Sequence, residues 1–216
     1  MNLHLYYAPG TCSFVPHVSL ELIREAYGQE FNASLINLAK GEQMTPEYKL
    51  INAKGQVPVL VVDDAKLTQV VAIVNFLNET FPKANILPAD PIEKAHALSM
   101  LAWMNNTVHP TFTRVFRPER FSTPESKDAV KSVAIEIYKT YLNDIEEICA
   151  KGQPFLCGQQ LTPADIYAIA FMRWAGLAKI DPNTYPNYLK YAERLTEIPT
   201  VKNIMSKEGI VLHTFK

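Results

Sequence analysis

The sequence predicts a small mixed α/β domain followed by a larger all-helical one. Three observations carry this. The first stretch, about 80 residues, orders as β-α-β-α-β-β-α; residues 82–91 hold three of the chain's 15 prolines and no periodic pattern; beyond them the apolar spacing is helical almost throughout. The predicted division is 1–81, a linker at 82–90, and 91–216.

"NLHLYY" (2–7) alternates as a short strand, and Ala8-Pro9-Gly10 ends it. After Cys12, the apolar positions Phe14, Val15, Val18, Leu22, Ile23 and Ala26 fall at helical spacing. They predict a helix over 12–27 that Gly28 stops. "FNASLINL" (31–38) reads as a second strand, so the first three elements form a βαβ unit with parallel strands and a right-handed crossover. Thr45-Pro46-Glu47 pairs an N-cap with a proline at the first helical position, opening a short helix that ends by Ile51. "GQVPVLVVDD" is an apolar strand, and Asp63-Asp64 turns it into the return strand "AKLTQV". Val71, Ile73, Val74, Leu77 and Phe81 then mark a helix over 70–81.

Asp90-Pro91 repeats the N-cap and proline pairing, and helices are predicted over 91–116, 124–150, 163–178, 185–196 and 199–206. Thr162-Pro163-Ala164-Asp165 is a capping box that satisfies orphan N–H groups. It reads as structural, and so does Trp174.

Composition narrows the function. A net charge of −1, from 21 basic and 22 acidic residues with no basic block, gives no sign of nucleic-acid binding. No run approaches the roughly 18 apolar residues of a membrane span, and no secretory leader is visible. Three cysteines cannot close a disulfide framework. A cytoplasmic protein is the expectation. The five histidines do not cluster with ligand spacing, so no metal is expected.

Cys12 stands where a strand gives way to a helix. A helix N-terminus carries about half a positive charge and free N–H groups, and stabilises a thiolate placed there. A small buried apolar residue is the competing reading. No Cys-x-x-Cys motif is present, which argues against a dithiol oxidoreductase. Cys149 and Cys157 read as packed side chains. A β-α-β-α-β-β-α unit with a cysteine after its first strand suggests a thioredoxin-like domain.

The short motifs sharpen this. "YAPGTCS" (7–13), "NAKGQVPVL" (52–60), "LTQVVAIVNFL" (67–77), "HPTFTRVFRP" (109–118) and "FLCGQQLTPADIYAIAFMRWA" (155–175) follow in that order. Together they resemble a bacterial, beta-class-like glutathione transferase over essentially the whole chain. The resemblance implies a thioredoxin-like N-terminal domain, an all-α C-terminal domain, a homodimer, and glutathione bound between the domains as co-substrate. It implies a cis Val57-Pro58 bond, with the Val57 backbone pairing to the cysteinyl part of glutathione. Cys12, Ser13 and His109 are the implied catalytic residues around the sulfur. Lys40, Gln56, Val57, Gln69, Val70 and Asn105 are the implied binding residues, with Lys40 meeting the glycine carboxylate and Asn105 reaching this cleft or the partner subunit's. Small apolar electrophiles would lie against Phe112 and Phe116.

The chain departs from the family pattern at Gln69-Val70, where an acidic residue and Ser or Gly are usual. Gln69 can hydrogen-bond the ligand amine without a charge, and Val70 retains its helix-start N–H for a carboxylate. The lost charge-assisted bond corresponds to about 1.5–3 kcal/mol. Pro110 occupies a position often held by lysine, and the segment from Trp103 to His109 is about one turn short. Three functions are therefore in view: conjugation of glutathione to electrophiles, ligand binding with little catalysis, and thiol transfer through a mixed disulfide at Cys12.

Overall fold

The computed structural model describes residues 1–216. β1 (Leu3–Tyr7) is followed by α1 (Phe14–Tyr27), β2 (Asn32–Leu35), α2 (Pro46–Ile51), β3 (Val59–Val62), β4 (Ala65–Thr68) and α3 (Val70–Thr80). The sheet runs β2-β1-β3-β4, with β1 parallel to β2 and antiparallel to β3, and β3 antiparallel to β4. This is a thioredoxin-like sheet, and no strand beyond residue 68 joins it.

Local sequence explains most element ends. Gly28 closes α1 with φ 67°, its N–H donating to the Arg24 carbonyl. Thr45 accepts from the Tyr48 N–H to start α2, and Asp90 accepts from Ile92 and Glu93 ahead of α4 (Pro91–Trp103). β2 is shorter than the predicted 31–38, because the Asn37 side chain accepts from the Lys40 N–H and turns the chain into a 3₁₀ segment, Leu38–Lys40.

The predicted helix over 91–116 is interrupted. Between α4 and α5 (His109–Phe116) lies a π-helical turn, Met104–Val108, in which the His109 N–H reaches the Met104 carbonyl. Pro110 supplies the cause: it has no N–H, and its ring crowds the carbonyl four residues back. Such widened turns recur at functional sites. α6 (Lys127–Ala150), α7 (Pro163–Leu177), α8 (Pro186–Thr196) and α9 (Pro199–Glu208) complete the helical domain.

α1 lies between the sheet and the helical domain, packing against α3, α7 and α9. One contiguous cluster of 48 buried residues runs from Leu3 to Leu212, so the two halves share a core. The Thr162–Asp165 box forms as expected, and the buried Asp165 also accepts from the Leu156 N–H and the Tyr191 hydroxyl. No helix is long and apolar enough to cross a membrane.

Candidate active site

The turn from β1 into α1 is fixed from both sides. Gly10 has φ 65°, a conformation that favours glycine, and a Cβ there would lie 2.5 Å from the Arg173 guanidinium. Its N–H donates to Glu208 Oε2 at 2.8 Å, and its carbonyl accepts from Trp174 Nε1 at 2.7 Å. Thr11, Cys12 and the helix-capping position Ser13 follow.

Cys12 is buried, and its thiol donates to the Val57 carbonyl across the cleft, S···O 3.7 Å. Burial pushes its pKa up to about 12, against the opposing pull of the Cys12 and Ser13 N–H groups and the Tyr167 hydroxyl. Desolvation outweighs the helix N-terminus. In this state Cys12 is a neutral hydrogen-bond donor, which agrees with the buried side chain more than with a resting thiolate.

Ser13, expected beside the ligand sulfur, is fully buried away from the cleft. Its Oγ donates to the Ala8 carbonyl at 3.1 Å, accepts from the Ala8 N–H at 3.0 Å and contacts Thr11 Oγ1 at 2.8 Å. The hydroxyl is saturated by its own turn.

The opposite wall carries the cis Val57-Pro58 bond and, beyond the β3–β4 hairpin, Gln69 and Val70 at the start of α3. Gln69 has φ 72°, an uncommon backbone for a residue with a Cβ, which persists where the surroundings fix it. Its side chain caps nothing and is free for a ligand. Asn105 projects from the π turn, and His109 follows that turn.

His109 Nδ1 lies 2.6 Å from the Tyr167 hydroxyl, and its ring packs against Trp174 at 5.0 Å. Burial pushes its pKa down to about 4, so the imidazole is neutral at pH 7. Burial also holds Tyr167 protonated, so either its hydroxyl or the ring N–H donates across this contact.

These parts enclose a cleft of two lobes. A polar lobe of about 400 Å³ is lined by Cys12, Gln56, Val57, Gln69, Val70, Asn105 and His109, among others. An apolar lobe of about 770 Å³ is walled by Phe112, Phe116, Trp174 and Leu177 from the helical domain and by Leu35 and Ile36 from the sheet side. Thr11, Leu38, His109, Thr113 and Arg117 line both. Phe112 stacks on Trp174 with centroids 4.4 Å apart at 17°.

Seven of the nine sequence-predicted site residues meet in the polar lobe. Ser13 and Lys40 do not. Lys40 is exposed and outside the lining, while Lys54, Arg117 and Arg120 supply the cations there. Lys54 stands inside the "NAKGQVPVL" motif, two residues before Gln56, and could have been found from that spacing. Trp174, read from sequence as structural, lines the apolar lobe as well as fixing Gly10. Tyr167 carried no sequence signal beyond its helical motif. No group of three or more His, Cys, Asp or Glu converges in ligand geometry.

Comparison with known proteins places the chain. Family models described as the glutathione S-transferase N-terminal and C-terminal domains match residues 1–79 and 106–208. The glutathione S-transferase GstA of Escherichia coli O157:H7 is 31% identical over 211 residues, covering 96% of this chain and 100% of that one. Among solved structures, a glutathione transferase homologue from Sulfitobacter, crystallised with bound glutathione, superposes with a TM-score of 0.87 at 26% identity, over 97% of this chain and 99% of the other. A glutathione transferase from Methylococcus capsulatus superposes at 0.83 with 30% identity, over 97% of this chain and 100% of that one. A beta-class enzyme from Sphingomonas chungbukensis gives 0.82 at 28% identity, over 96% and 100%. The match of both domains, in order and over nearly the full length, shows that this chain belongs to the glutathione S-transferase family.

Proposed function

We propose that this glutathione transferase is beta-class-like and conjugates the glutathione thiolate to small electrophiles, holding glutathione in the polar lobe and the electrophile in the apolar one. The convergence of seven predicted residues on one cleft carries the reading. The Val57 backbone pairs with the cysteinyl segment of glutathione, and the Val70 N–H and Gln69 side chain receive its γ-glutamyl end. Asn105 serves the cleft of its own chain, whose lining it joins.

The chemistry asked of the protein is thiolate stabilisation. A free thiol of pKa about 8.5 is only a few per cent ionised at neutral pH, and each unit of lowering yields close to tenfold more nucleophile. Two neutral donors face the place where the sulfur would sit. His109 offers Nε2–H in the tautomer whose Nδ1 accepts from the Tyr167 hydroxyl. Cys12 offers S–H once the peptide of glutathione takes over the Val57 carbonyl, its present acceptor. A Cys12 thiol with a pKa of about 12 makes a poor nucleophile at neutral pH, which favours conjugation over thiol transfer through the protein. The stacked Phe112 and Trp174 suit a flat, apolar electrophile.

The same reading takes the protein as a cytoplasmic, detoxifying homodimer, with the N-terminal domain of one subunit against the helical domain of the other. Sedimentation at micromolar concentration is expected to give about twice the 24.3 kDa chain mass.

Gln69 and Val70 favour a second reading, in which the fold binds glutathione weakly or takes another ligand and catalyses little. Calorimetric titration with glutathione, paired with turnover of 1-chloro-2,4-dinitrobenzene, separates the two. Binding with turnover supports the enzyme. Binding without turnover, or the absence of heat up to tens of millimolar glutathione, supports the second reading.

A further inference from the structure

We infer that the electrophile this cleft is built to take carries a negative charge: an aromatic or otherwise flat apolar body bearing a carboxylate or sulfonate. The inference deepens the transferase reading and rests on it.

The charge of the cleft is one-sided. Neither lobe is lined by any Asp or Glu, while Lys54, Arg117 and Arg120 line the polar lobe and Arg117 and Arg173 the apolar one. The cations differ in availability. Arg173 is committed: its Nε donates to the Val211 carbonyl, and its guanidinium packs over Gly10 with the Glu208 carboxylate nearby. Arg117 and Arg120 enter none of the seven ion pairs of the chain, and their side chains make no hydrogen bond to protein. The neighbouring carboxylates do not answer them. Glu119 lies between them in sequence but lines neither lobe, and Glu42, also outside both linings, accepts from the Asn37 N–H.

Position distinguishes these two arginines from groups that serve glutathione. The residues assigned to glutathione are on the sheet side and at the start of α3, save Asn105 on the π turn ahead of α5. Arg117 instead follows α5, directly after Phe116, and belongs to the walls of both lobes. Phe116, Leu177 and Leu35, three exposed apolar side chains from three elements, line the apolar lobe from its two walls. A flat body lying on the Phe112–Trp174 stack therefore has apolar walls around it, the unpaired Arg117 guanidinium in the wall shared by both lobes, and Arg120 in the adjoining polar lobe. Guanidinium meets carboxylate or sulfonate with paired N–H···O bonds, the geometry for which arginine is suited.

The test uses 4-chloro-3,5-dinitrobenzoate and its methyl ester, the same ring with and without the charge. In both, the glutathione sulfur bonds to the chlorine-bearing carbon, chloride leaves with the C–Cl electron pair, and the thiol proton goes to solvent. Each kcat/KM is divided by the rate constant for glutathione alone with that compound, which removes the intrinsic reactivity difference. The benzoate is expected to be favoured about tenfold, the size of one charge-assisted contact at a partly exposed site. The preference should shrink as ionic strength rises from about 0.02 M to about 0.5 M, a readout on the unaltered protein. Arg117→Gln with Arg120→Gln should bring the ratio to about one, and Arg117→Lys should restore part of it. A ratio near one in the unaltered protein overturns the inference while turnover of the ester keeps the transferase reading. So does a double variant that raises KM for glutathione equally with both compounds and leaves the ratio unmoved, for the arginines then serve glutathione. If neither compound is turned over, the transferase reading fails and takes the inference with it.

Discussion

Glu208, at the end of the last helix, accepts a hydrogen bond from the Gly10 N–H at 2.8 Å across 198 residues of sequence. Its other oxygen lies 2.8 Å from His17 Nδ1 on α1, so one buried carboxylate ties the Cys12 turn and the first helix to the end of the chain. Trp174 holds the next peptide, donating to the Gly10 carbonyl. The helical domain thus sets the position of a residue that local sequence assigns to the sheet domain.

Glu208→Ala leaves the buried Gly10 N–H and His17 ring without acceptors. We expect a loss of about 2–4 kcal/mol in urea unfolding, with a several-fold fall in conjugation as the Cys12 turn loosens. Glu208→Gln keeps an acceptor for Gly10 and should lie between. An Ala variant of unaltered stability would show that water replaces the carboxylate.

His109 should make stability depend on acid. Its folded pKa, about 4, is below the unfolded value near 6.5, so the unfolded chain binds more protons between them. The contribution is complete above pH 6.5 and is lost as pH falls toward 4, amounting to up to about 3 kcal/mol. Urea midpoints between pH 7 and pH 4.5 should fall more steeply in the unaltered protein than in His109→Asn. Equal slopes would place the acid sensitivity elsewhere.

The thiols should be quiet in the folded protein. Burial raises Cys12 and Cys149 to about 12 and Cys157 to about 11, so iodoacetamide near pH 8 should label them far more slowly than the unfolded chain. Cys12→Ala should cost conjugation less than tenfold, the loss of one hydrogen-bond donor, and should abolish whatever glutathione mixed-disulfide exchange the protein supports. If both activities stay at wild-type level, Cys12 only packs.

Gln69→Glu should tighten glutathione about tenfold in calorimetry, by restoring a charge opposite the ligand ammonium. An unchanged or weaker affinity would show that the ammonium lies away from residue 69.

The sequence by itself determined what depends on near neighbours along the chain. Helix starts at Thr45, Asp90 and Thr162 and the stop at Gly28 were legible because caps act within one turn. The parallel β1–β2 pair and the β3–β4 hairpin followed from their connections, and seven residues of the polar lobe followed from the family resemblance that the short motifs carry, while the β1–β3 pairing did not. What the tertiary structure decided is long-range. Whether Cys12 ionises is settled by how much water and how many dipoles surround its sulfur, and those come from Val57 and Tyr167, distant in sequence. Ser13 faces the interior because the β1–α1 turn consumes its hydroxyl, and Lys40 lies outside the cleft because a 3₁₀ segment replaces the end of β2. Trp174 and Tyr167 join the site because α7 passes behind the turn. Pro110 was visible, but the π turn it brings, and hence the placement of His109 against Tyr167, depends on a whole helix adjusting its winding inside a shared core.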